Sequence, residues 1–415
     1  MDTLVTSRTR VGRERIRVGT GYEQKNPSRN RARDNPSRHS NGPSFISAAG
    51  ATPRGDTRHR HQARAQIALH QAPSSRVSKL IFAGSVDMET VEIALPFLVH
   101  DVGLEYAEPQ SHYSIASQSM VTAAVDLLLD HRCFETPQGW VLALDPASLA
   151  TFLWRPEGRG GERVALPAMD KDLPMNCKCL LSGDPAGAAA CVVMVLDLDA
   201  FVFWLCRVGG GSKWERRVYS LTVFDAKDQP VERHMANRHG IAALGGKVYY
   251  QLNGYALGVV EFDPAGGEAP SLTSIEVDMV DTTASPAWSS YLVESCSELF
   301  LVVVFFQGYN VHEVAEVAVY KMDFSAPAWR KVDAIGDRVF LLGGDSIGES
   351  NFGASCSASK HGLTGNCIFF LNHIAISENF LHIFNLEEGT EEVLRPFKEF
   401  VDPLRPPFWM LPTDP

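Results

Sequence analysis

Short apolar runs alternate with polar turns from residue 140 to the end of the chain, and the turns are rich in Gly, Pro and Asp. One run begins each repeat: Trp140–Ala143, Cys191–Val195, Lys247–Tyr250, Glu298–Val302 and Cys367–Leu371. A second run follows and leads into a turn: Phe152–Gly158, Phe203–Gly209, Val260–Gly266, Ala318–Phe324 and Leu381–Gly389. Runs of this length and composition, bounded by turn residues, are typical of β-strands. The pattern therefore predicts an all-β protein built from repeated hairpins.

The spacing of the repeats predicts how the hairpins assemble. Equivalent positions are separated by 51, 57, 60 and 62 residues, at Trp154, Leu205, Phe262, Met322 and Phe384. Steps of this size fit propeller blades, which contain about 40 to 50 residues before loop insertions are added. Stacking blades around an axis buries both faces of each small sheet. We therefore expect a β-propeller of five to seven blades with three to four strands each, and a two-sheet β-sandwich is the alternative.

Further segments extend the repeat in both directions. Gly336–Gly344 resembles Gly245–Gly254, so it is either another strand of the blade begun by Glu298 or the opening of a new blade. Leu95–Val99 is expected to be the opening strand of the domain. The apolar and aromatic segment Pro406–Pro412 is expected to close the ring or cap the last blade, because it would otherwise expose a large apolar patch.

One segment has helical periodicity. Within Ser117–Leu129, the side chains of Val121, Val125 and Leu128 recur at intervals of three and four residues. We expect a short connecting helix at this position.

The first 79 residues differ in composition from the rest. They hold 16 of the chain's 38 Lys and Arg residues and 5 of its 49 Asp and Glu residues, so a basic extension precedes an acidic body. Residues 6–55 have almost no apolar periodicity and cannot bury enough surface to offset the entropy of ordering. We expect residues 1–79 to be a disordered extension. Two alternatives are an organellar targeting segment and a tail that binds nucleic acid non-specifically. The second is disfavoured, because the extension contains only two aromatic residues, Tyr22 and Phe45, and they do not alternate with its arginines.

The remaining composition indicates in which cellular compartment the protein is expected. A hydrophobic content of 45% suits a globular core, and the longest apolar run, Cys191–Cys206, contains Asp197 and Asp199. We therefore expect no transmembrane span. Because the N-terminus lacks the apolar stretch of a secretory signal, we expect the eight cysteines to be reduced thiols of an intracellular protein in the cytoplasm or nucleus.

Several segments together resemble a known family. They are Thr136–Asp145, Phe152–Pro156, Phe340–Asp345, Phe352–Ser357, Gly362–Phe370, His382–Leu386 and Pro407–Pro412. The chain from about Leu95 to Pro412 is similar to the plant KIB-type, F-box-associated β-propeller family. The resemblance implies one propeller domain over residues 95–412 that recognises protein partners, with ubiquitin-ligase components among them. The F-box pattern itself, which starts at a Leu-Pro pair, is not found, because Leu95-Pro96 already belongs to the opening strand.

Cysteine and histidine residues are the candidate metal ligands and nucleophiles of the chain. Cys177 and Cys179 have no second Cys or His pair nearby, whereas a structural zinc site needs about four ligands, so we expect two loop thiols. Cys356 and His361 are close in sequence, but a catalytic thiol needs a base at hydrogen-bond distance and a group that orients the base. We therefore predict no metal site, no cofactor and no catalytic residue.

Glycine-rich segments are candidates for phosphate binding, and aspartates are candidates for acid–base chemistry. Gly343–Ser346 and Gly209–Ser212 are not followed by the Lys and helix of a phosphate-binding loop, and are expected to be blade turns. Asp side chains at strand ends are expected to hydrogen-bond their own turns: Asp197, Asp199, Asp263, Asp323 and Asp345.

Five tryptophans are expected to pack between blades, with a binding site on one face of the ring as the alternative for one or two of them: Trp154, Trp204, Trp214, Trp288 and Trp329.

These observations favour a non-catalytic protein-interaction propeller, and the resemblance implies substrate recognition in a ubiquitin-ligase pathway. An organelle- or nucleus-targeted propeller with another binding role is the first alternative. A propeller hydrolase is the second, and it requires acidic or His side chains that converge on the central channel. No membrane partner is expected, and nucleic acid is disfavoured.

Overall fold

The computed structural model describes residues 17–18, 95–100, 111–121, 125–156, 161–187, 190–209, 213–224, 229–235, 240–263, 269–278, 280–282, 285–344, 351–371, 380–397 and 407–413. Apart from Arg17–Val18, the N-terminal extension lies outside the described residues, so its disorder remains a prediction.

The described strands of the first half, in chain order, are β1 Arg17–Val18, β2 Phe97–His100, β3 Ser111–Ser114, β4 Ser119–Val121, β5 Arg132–Glu135, β6 Val141–Leu144, β7 Thr151–Arg155, β8 Glu162–Leu166, β9 Cys177–Leu181, β10 Val192–Asp197, β11 Val202–Arg207, β12 Glu215–Val218, β13 Leu221–Phe224 and β14 Pro230–Glu232. A short helix, α1 Asp126–Asp130, connects β4 to β5.

The described strands of the second half are β15 Ile241–Leu244, β16 Lys247–Asn253, β17 Ala256–Glu261, β18 Ser271–Glu276, β19 Trp288–Ser295, β20 Glu298–Gln307, β21 Asn310–Asp323, β22 Ala328–Val332, β23 Arg338–Gly344, β24 Asn351–Ser357, β25 Cys367–Leu371, β26 Leu381–Asn385, β27 Thr390–Leu394 and β28 Phe408–Met410. A 3-10 turn, Ser359–His361, lies between β24 and β25.

The described strands form a β-propeller of six blades, which settles the predicted range of five to seven and excludes the sandwich. Blades 2 to 5 are four-stranded antiparallel meanders in chain order, β5–β8, β9–β12, β15–β18 and β19–β22. Blade 1 consists of β28, β2, β3 and β4 in spatial order, so its innermost strand comes from the far end of the chain. The expectation that Pro406–Pro412 closes the ring is confirmed.

Blade 6 has five strands in the order β24-β23-β25-β26-β27. β23 pairs antiparallel with β24 and parallel with β25, whereas the remaining pairs of the blade are antiparallel. The segment Gly336–Gly344 thus opens a new blade, which was one of its two predicted roles, and it places an additional strand beside the innermost one.

Six hydrophobic clusters hold the described ring together, and each lies between two neighbouring blades. The cluster between blades 6 and 1, for example, joins Leu98 to Val339 and Trp409. The predicted packing role of the tryptophans is confirmed, because all five pack in or against such clusters. Trp214 also donates its indole N–H from blade 3 to Pro167 O of blade 2, at 2.9 Å.

The antiparallel order of the blades gives the ring two distinct faces. The turns between second and third strands lie on one face together with the blade-to-blade connections, which we call the upper face. The turns between first and second and between third and fourth strands lie on the lower face. The predicted hairpin repeat corresponds to the second and third strands of blades 2 to 5 and to β25 and β26 of blade 6. The predicted helix of Ser117–Leu129 is confined to the five residues of α1, because Ser119–Val121 is a strand.

The centre of the ring is tightly packed around Leu292 of β19. A Cβ atom at Gly240 would overlap the backbone nitrogen of Leu292 and lie 2.7 Å from the carbonyl carbon of Tyr291. A Cβ atom at Gly353 of β24 would overlap Leu292 O and lie 2.8 Å from Val293 Cγ2. Glycine at these two positions therefore allows the inner strands of neighbouring blades to approach each other.

Gly240→Ala is expected to lower the free energy of unfolding by about 1–3 kcal/mol, the range typical of an overpacked core. The added methyl group meets backbone atoms that no side-chain rotation can move. Chemical denaturation of the full chain measures the effect. Gly183→Ala is the matched control, because no atom lies within 4 Å of a Cβ built there, and its expected change is within about 0.5 kcal/mol. Equal stability of the two variants would contradict the close approach at Leu292.

Candidate recognition surface

Two tyrosines project from equivalent turns of adjacent blades on the upper face. Tyr255, 53% exposed, lies between β16 and β17 of blade 4, and Tyr309, 85% exposed, lies between β20 and β21 of blade 5. Asn253 Oδ1 accepts the Tyr255 backbone N–H at 2.8 Å, which fixes the first turn. Gly308 has a φ of +58°, which the second turn requires. Exposed tyrosines on short, fixed turns are typical of protein-binding surfaces.

Two further apolar side chains are exposed in the blade-to-blade connections. Met175, 69% exposed, precedes β9, and Val231 lies in β14. The guanidinium group of Arg132 holds the segment before Met175 by donating to Leu173 O at 2.7 Å and Pro174 O at 2.8 Å. The exposure of Met175 is therefore not the result of an unconstrained loop. We define Met175, Val231, Tyr255 and Tyr309 as the upper-face patch.

The other large apolar side chains that are exposed lie elsewhere. Phe324 is in a lower-face turn of blade 5, and Met120, Val218 and Val393 are in outermost strands. Among the described residues, the exposed tyrosines are thus confined to the upper face.

The prediction that Cys177 and Cys179 lie in a loop is wrong. Both residues lie in β9, the innermost strand of blade 3. Burial raises the pKa of the Cys177 thiol to about 12, and it also raises the pKa of Cys179. Both thiols are therefore protonated at neutral pH and poor nucleophiles. All eight cysteines lie among the described residues, and none of them forms a disulfide. Within those residues, no three His, Cys, Asp or Glu side chains are grouped closely enough to hold a metal ion.

Cys356 and His361 lie on either side of a capped turn. Cys356 is buried in β24 within the cluster between blades 6 and 1, and His361 ends the 3-10 turn. Asp337 organises the turn by accepting the Ser359 hydroxyl at 2.7 Å, the Ser357 hydroxyl at 2.8 Å and the Ser359 backbone N–H at 2.9 Å, and these bonds lower its pKa. The arrangement is that of a structural turn.

The glycine segments follow the prediction in part. Gly343 and Gly344 belong to β23, so the expected turn is wrong for these two residues, while Asp345 and Ser346 lie outside the described residues. Gly209 follows β11 with a φ of +91°, as a turn requires, and residues 210–212 are outside the described residues. The strand places Gly343 opposite Phe352.

The aspartate prediction is confirmed at two strand ends. Asp197 Oδ1 accepts the backbone N–H of Asp199 at 2.9 Å, and Asp323 Oδ1 accepts that of Ser325 at 3.0 Å. Asp199 instead accepts the Asn176 side-chain amide at 3.0 Å. For Asp263, the structure shows its backbone carbonyl accepting a bond from Arg207, and Asp345 is outside the described residues.

A half-buried carboxylate in the innermost strand of blade 2 was not predicted from the sequence. Glu135 Oε2, at the end of β5, accepts the backbone N–H of Trp409 in β28 at 2.8 Å. Burial raises the pKa of Glu135 to about 7, although this hydrogen bond and the charge of Lys178 in β9 lower it. In the sequence, the only feature that could have indicated this carboxylate is the position of Glu135 directly after the apolar residue Phe134. Because its carboxylate binds the closing strand, we assign it to ring closure.

The family model of the KIB1-4 beta-propeller matches residues 112–391, well over half of the chain. An F-box protein of Arabidopsis thaliana is 26% identical over 137 residues, which cover 28% of this chain and 33% of that protein. The chain thus spans about a third of the length of this curated relative.

Solved structures that resemble the chain include a protein of unknown function from Bacteroides caccae, 12% identical, covering 70% of this chain and 83% of that chain with a TM-score of 0.29. A functionally unknown protein from Desulfotomaculum acetoxidans is 11% identical and covers 76% and 99% with a TM-score of 0.35.

None of the described helices has the length and apolar character needed to cross a membrane. The family model describes a beta-propeller, and the described strands form a six-bladed ring that β28 closes. The chain belongs to the KIB1-4 beta-propeller family.

Proposed function

We propose that this chain is a non-catalytic recognition propeller that binds a protein partner through its upper-face patch and selects that partner for a ubiquitin-ligase pathway. The exposure of Tyr255 and Tyr309 at equivalent turns of adjacent blades carries the first half of the proposal. The similarity to an F-box protein supports the second half. We further propose that the protein acts in the cytoplasm or nucleus.

The charge of the chain indicates the chemistry of the partner. Residues 80–415 contain 44 Asp and Glu against 22 Lys and Arg, so the propeller attracts basic segments. Tyrosine rings bind the cationic groups of Lys and Arg through their π faces, with about 0.5–1 kcal/mol at exposed sites. The partner is therefore a protein that presents Lys or Arg beside apolar residues.

The double variant Tyr255→Ala/Tyr309→Ala is expected to reduce partner recovery at least tenfold, because aromatic anchors carry much of the binding energy of an interface. The tagged full-length chain is purified from plant cells, and co-purifying proteins are quantified by mass spectrometry. Phe324→Ala is the matched control, because it removes an exposed aromatic ring from the same blade on the lower face. Retention of the same partner by the double variant would exclude the upper-face patch.

The ligase half of the proposal has a separate readout in the same purification. Ubiquitin-ligase adaptor subunits are expected with the wild-type chain, with the control and with the double variant, since the patch binds the selected partner. Their absence from all three samples would refute the ligase half, and the comparison of the tyrosine variants would still decide the recognition half.

A further inference from the structure

A small additional sheet lies in the connection between blades 3 and 4. Its central strand is β13, which pairs antiparallel with β14 on one side and with β1 on the other. β1 is Arg17–Val18, about two hundred residues earlier in the chain. A segment of the N-terminal extension therefore adds a strand to the propeller.

The sheet is anchored to the ring through β13. Leu221 and Val223 are buried in the cluster between blades 3 and 4, where Tyr219 and Met235 also pack. The Tyr219 hydroxyl accepts the Met235 backbone N–H at 3.3 Å, which ties the two ends of the small sheet together. β13 is thus a fixed strand, and its edge on the side of β1 is available for pairing with an extended segment.

The backbone register shows which N–H and C=O groups of β13 form hydrogen bonds with β1. Leu221 O accepts the Arg233 N–H at 2.8 Å, so the backbone groups of Leu221 face β14. Because successive residues of a strand point their backbone groups to opposite sides, those of Thr222 face β1. Thr222 is directly opposite Arg17 in the register. Arg17 and Thr222 are therefore the pair that exchanges hydrogen bonds.

Backbone pairing and charge together hold β1 on the edge of β13. The two backbone hydrogen bonds of so short a pair offset only part of the entropy cost of ordering its two residues. A pair of two residues alone is therefore exchangeable. Charge adds to it, because the extension is basic and the propeller is acidic. The register also places Arg17, Thr222 and Glu232 in one row across the three strands.

We propose that the edge of β13 is a strand-addition site for an extended basic peptide, and that the segment around Arg17–Val18 is its resident ligand. Backbone hydrogen bonds to Thr222 supply the pairing, and acidic residues such as Glu232 favour basic segments over acidic ones. The strand-addition site is the edge of β13 that pairs with β1, whereas the upper-face patch includes Val231 of β14 on the other side of β13. The proposal does not depend on the proposed function. Because the N-terminal extension already pairs with this edge, another basic strand can bind only after displacing the extension.

Hydrogen exchange of the full-length chain tests occupation of the site. Arg17→Pro removes the backbone N–H that pairs with Thr222, and the amide of Thr222 is expected to exchange at least tenfold faster. Arg33→Pro is the matched control, because it makes the same change at another arginine of the extension. Unchanged exchange at Thr222 in Arg17→Pro would overturn occupation by this segment.

Peptide binding tests the chemistry of the site. A fluorescent peptide of residues 11–24 is expected to bind the Arg17→Pro chain at least fivefold more tightly than the wild-type chain, whose site is already filled. Glu232→Lys in the Arg17→Pro chain is expected to weaken that binding. A scrambled peptide of equal charge that bound equally well would overturn strand addition, and so would the absence of binding by the ordered peptide.

Discussion

Trp409→Ala is expected to lower the free energy of unfolding by about 3–5 kcal/mol, the range for removal of a buried large aromatic side chain. Trp409 is 1% exposed and belongs to β28, which closes the ring by pairing with β2. Its indole N–H donates to Leu342 O in blade 6 at 3.1 Å, and its backbone N–H donates to Glu135 in blade 2. One residue therefore joins three blades at a point where the two ends of the propeller domain meet.

Trp409→Phe separates the two contributions of the side chain. Phenylalanine keeps most of the buried area but leaves Leu342 O without the indole donor, so the expected loss is about 1–2 kcal/mol. Denaturant unfolding of the full chain gives both values, and Tyr309→Ala, at an exposed position, is expected to change stability by no more than about 0.5 kcal/mol. A loss below about 1 kcal/mol for Trp409→Ala would show that ring closure does not depend on this residue.

The hairpin repeat could be predicted because second and third strands are buried between blades. Val192–Asp197 of β10 is buried along its whole length, and such strands appear as continuous apolar runs. The innermost strands carry no comparable signal. β5 reads Arg-Cys-Phe-Glu and β9 begins Cys-Lys-Cys, so neither has the continuous apolar run that predicts a buried strand, and Cys177 and Cys179 were expected in a loop.

The number of blades could not be fixed from the repeat, because two blades depart from it. Blade 1 is divided between the two ends of the domain, with β2 to β4 at one end and β28 at the other. Blade 6 contains an additional strand, so β23 and β25 are parallel neighbours with β24 between them in sequence. Spacing along the chain cannot reveal either arrangement, since both depend on pairing between distant segments.

The candidate site could not be predicted, because its residues become neighbours only in the folded ring. Tyr255 and Tyr309 each lie in an ordinary turn, and they form a common surface only because their blades are neighbours and their turns share a face. The tryptophans had the stronger sequence signal for binding, yet they pack against the clusters between blades. Large rings are needed to fill the wedge between sheets, and that need was predictable from their size.

Glu135→Gln is expected to stabilise the protein relative to wild type by an amount that grows with pH. The pKa of Glu135 is about 7 in the folded chain and close to 4.5 in the unfolded chain. Between these values the folded state binds more protons, so the wild-type free energy of unfolding falls as pH rises through this window. A shift of this size corresponds to about 3 kcal/mol at most, and partial solvent contact of Glu135 reduces the expected gain to about 1–3 kcal/mol.

The measurement is the difference in unfolding free energy between Glu135→Gln and wild type at pH values from 5 to 8. The Gln side chain keeps an oxygen that accepts the Trp409 N–H, so the change in the difference with pH reports the buried charge and not the lost hydrogen bond. Glu261→Gln is the matched control, because the hydrogen bond from Lys247 lowers the pKa of that carboxyl, which is ionised in both the folded and the unfolded chain from pH 5 to 8. Its difference from wild type should therefore stay constant over this range. A difference for Glu135→Gln that stays constant from pH 5 to 8 would mean that the carboxylate closing the ring is ionised without cost.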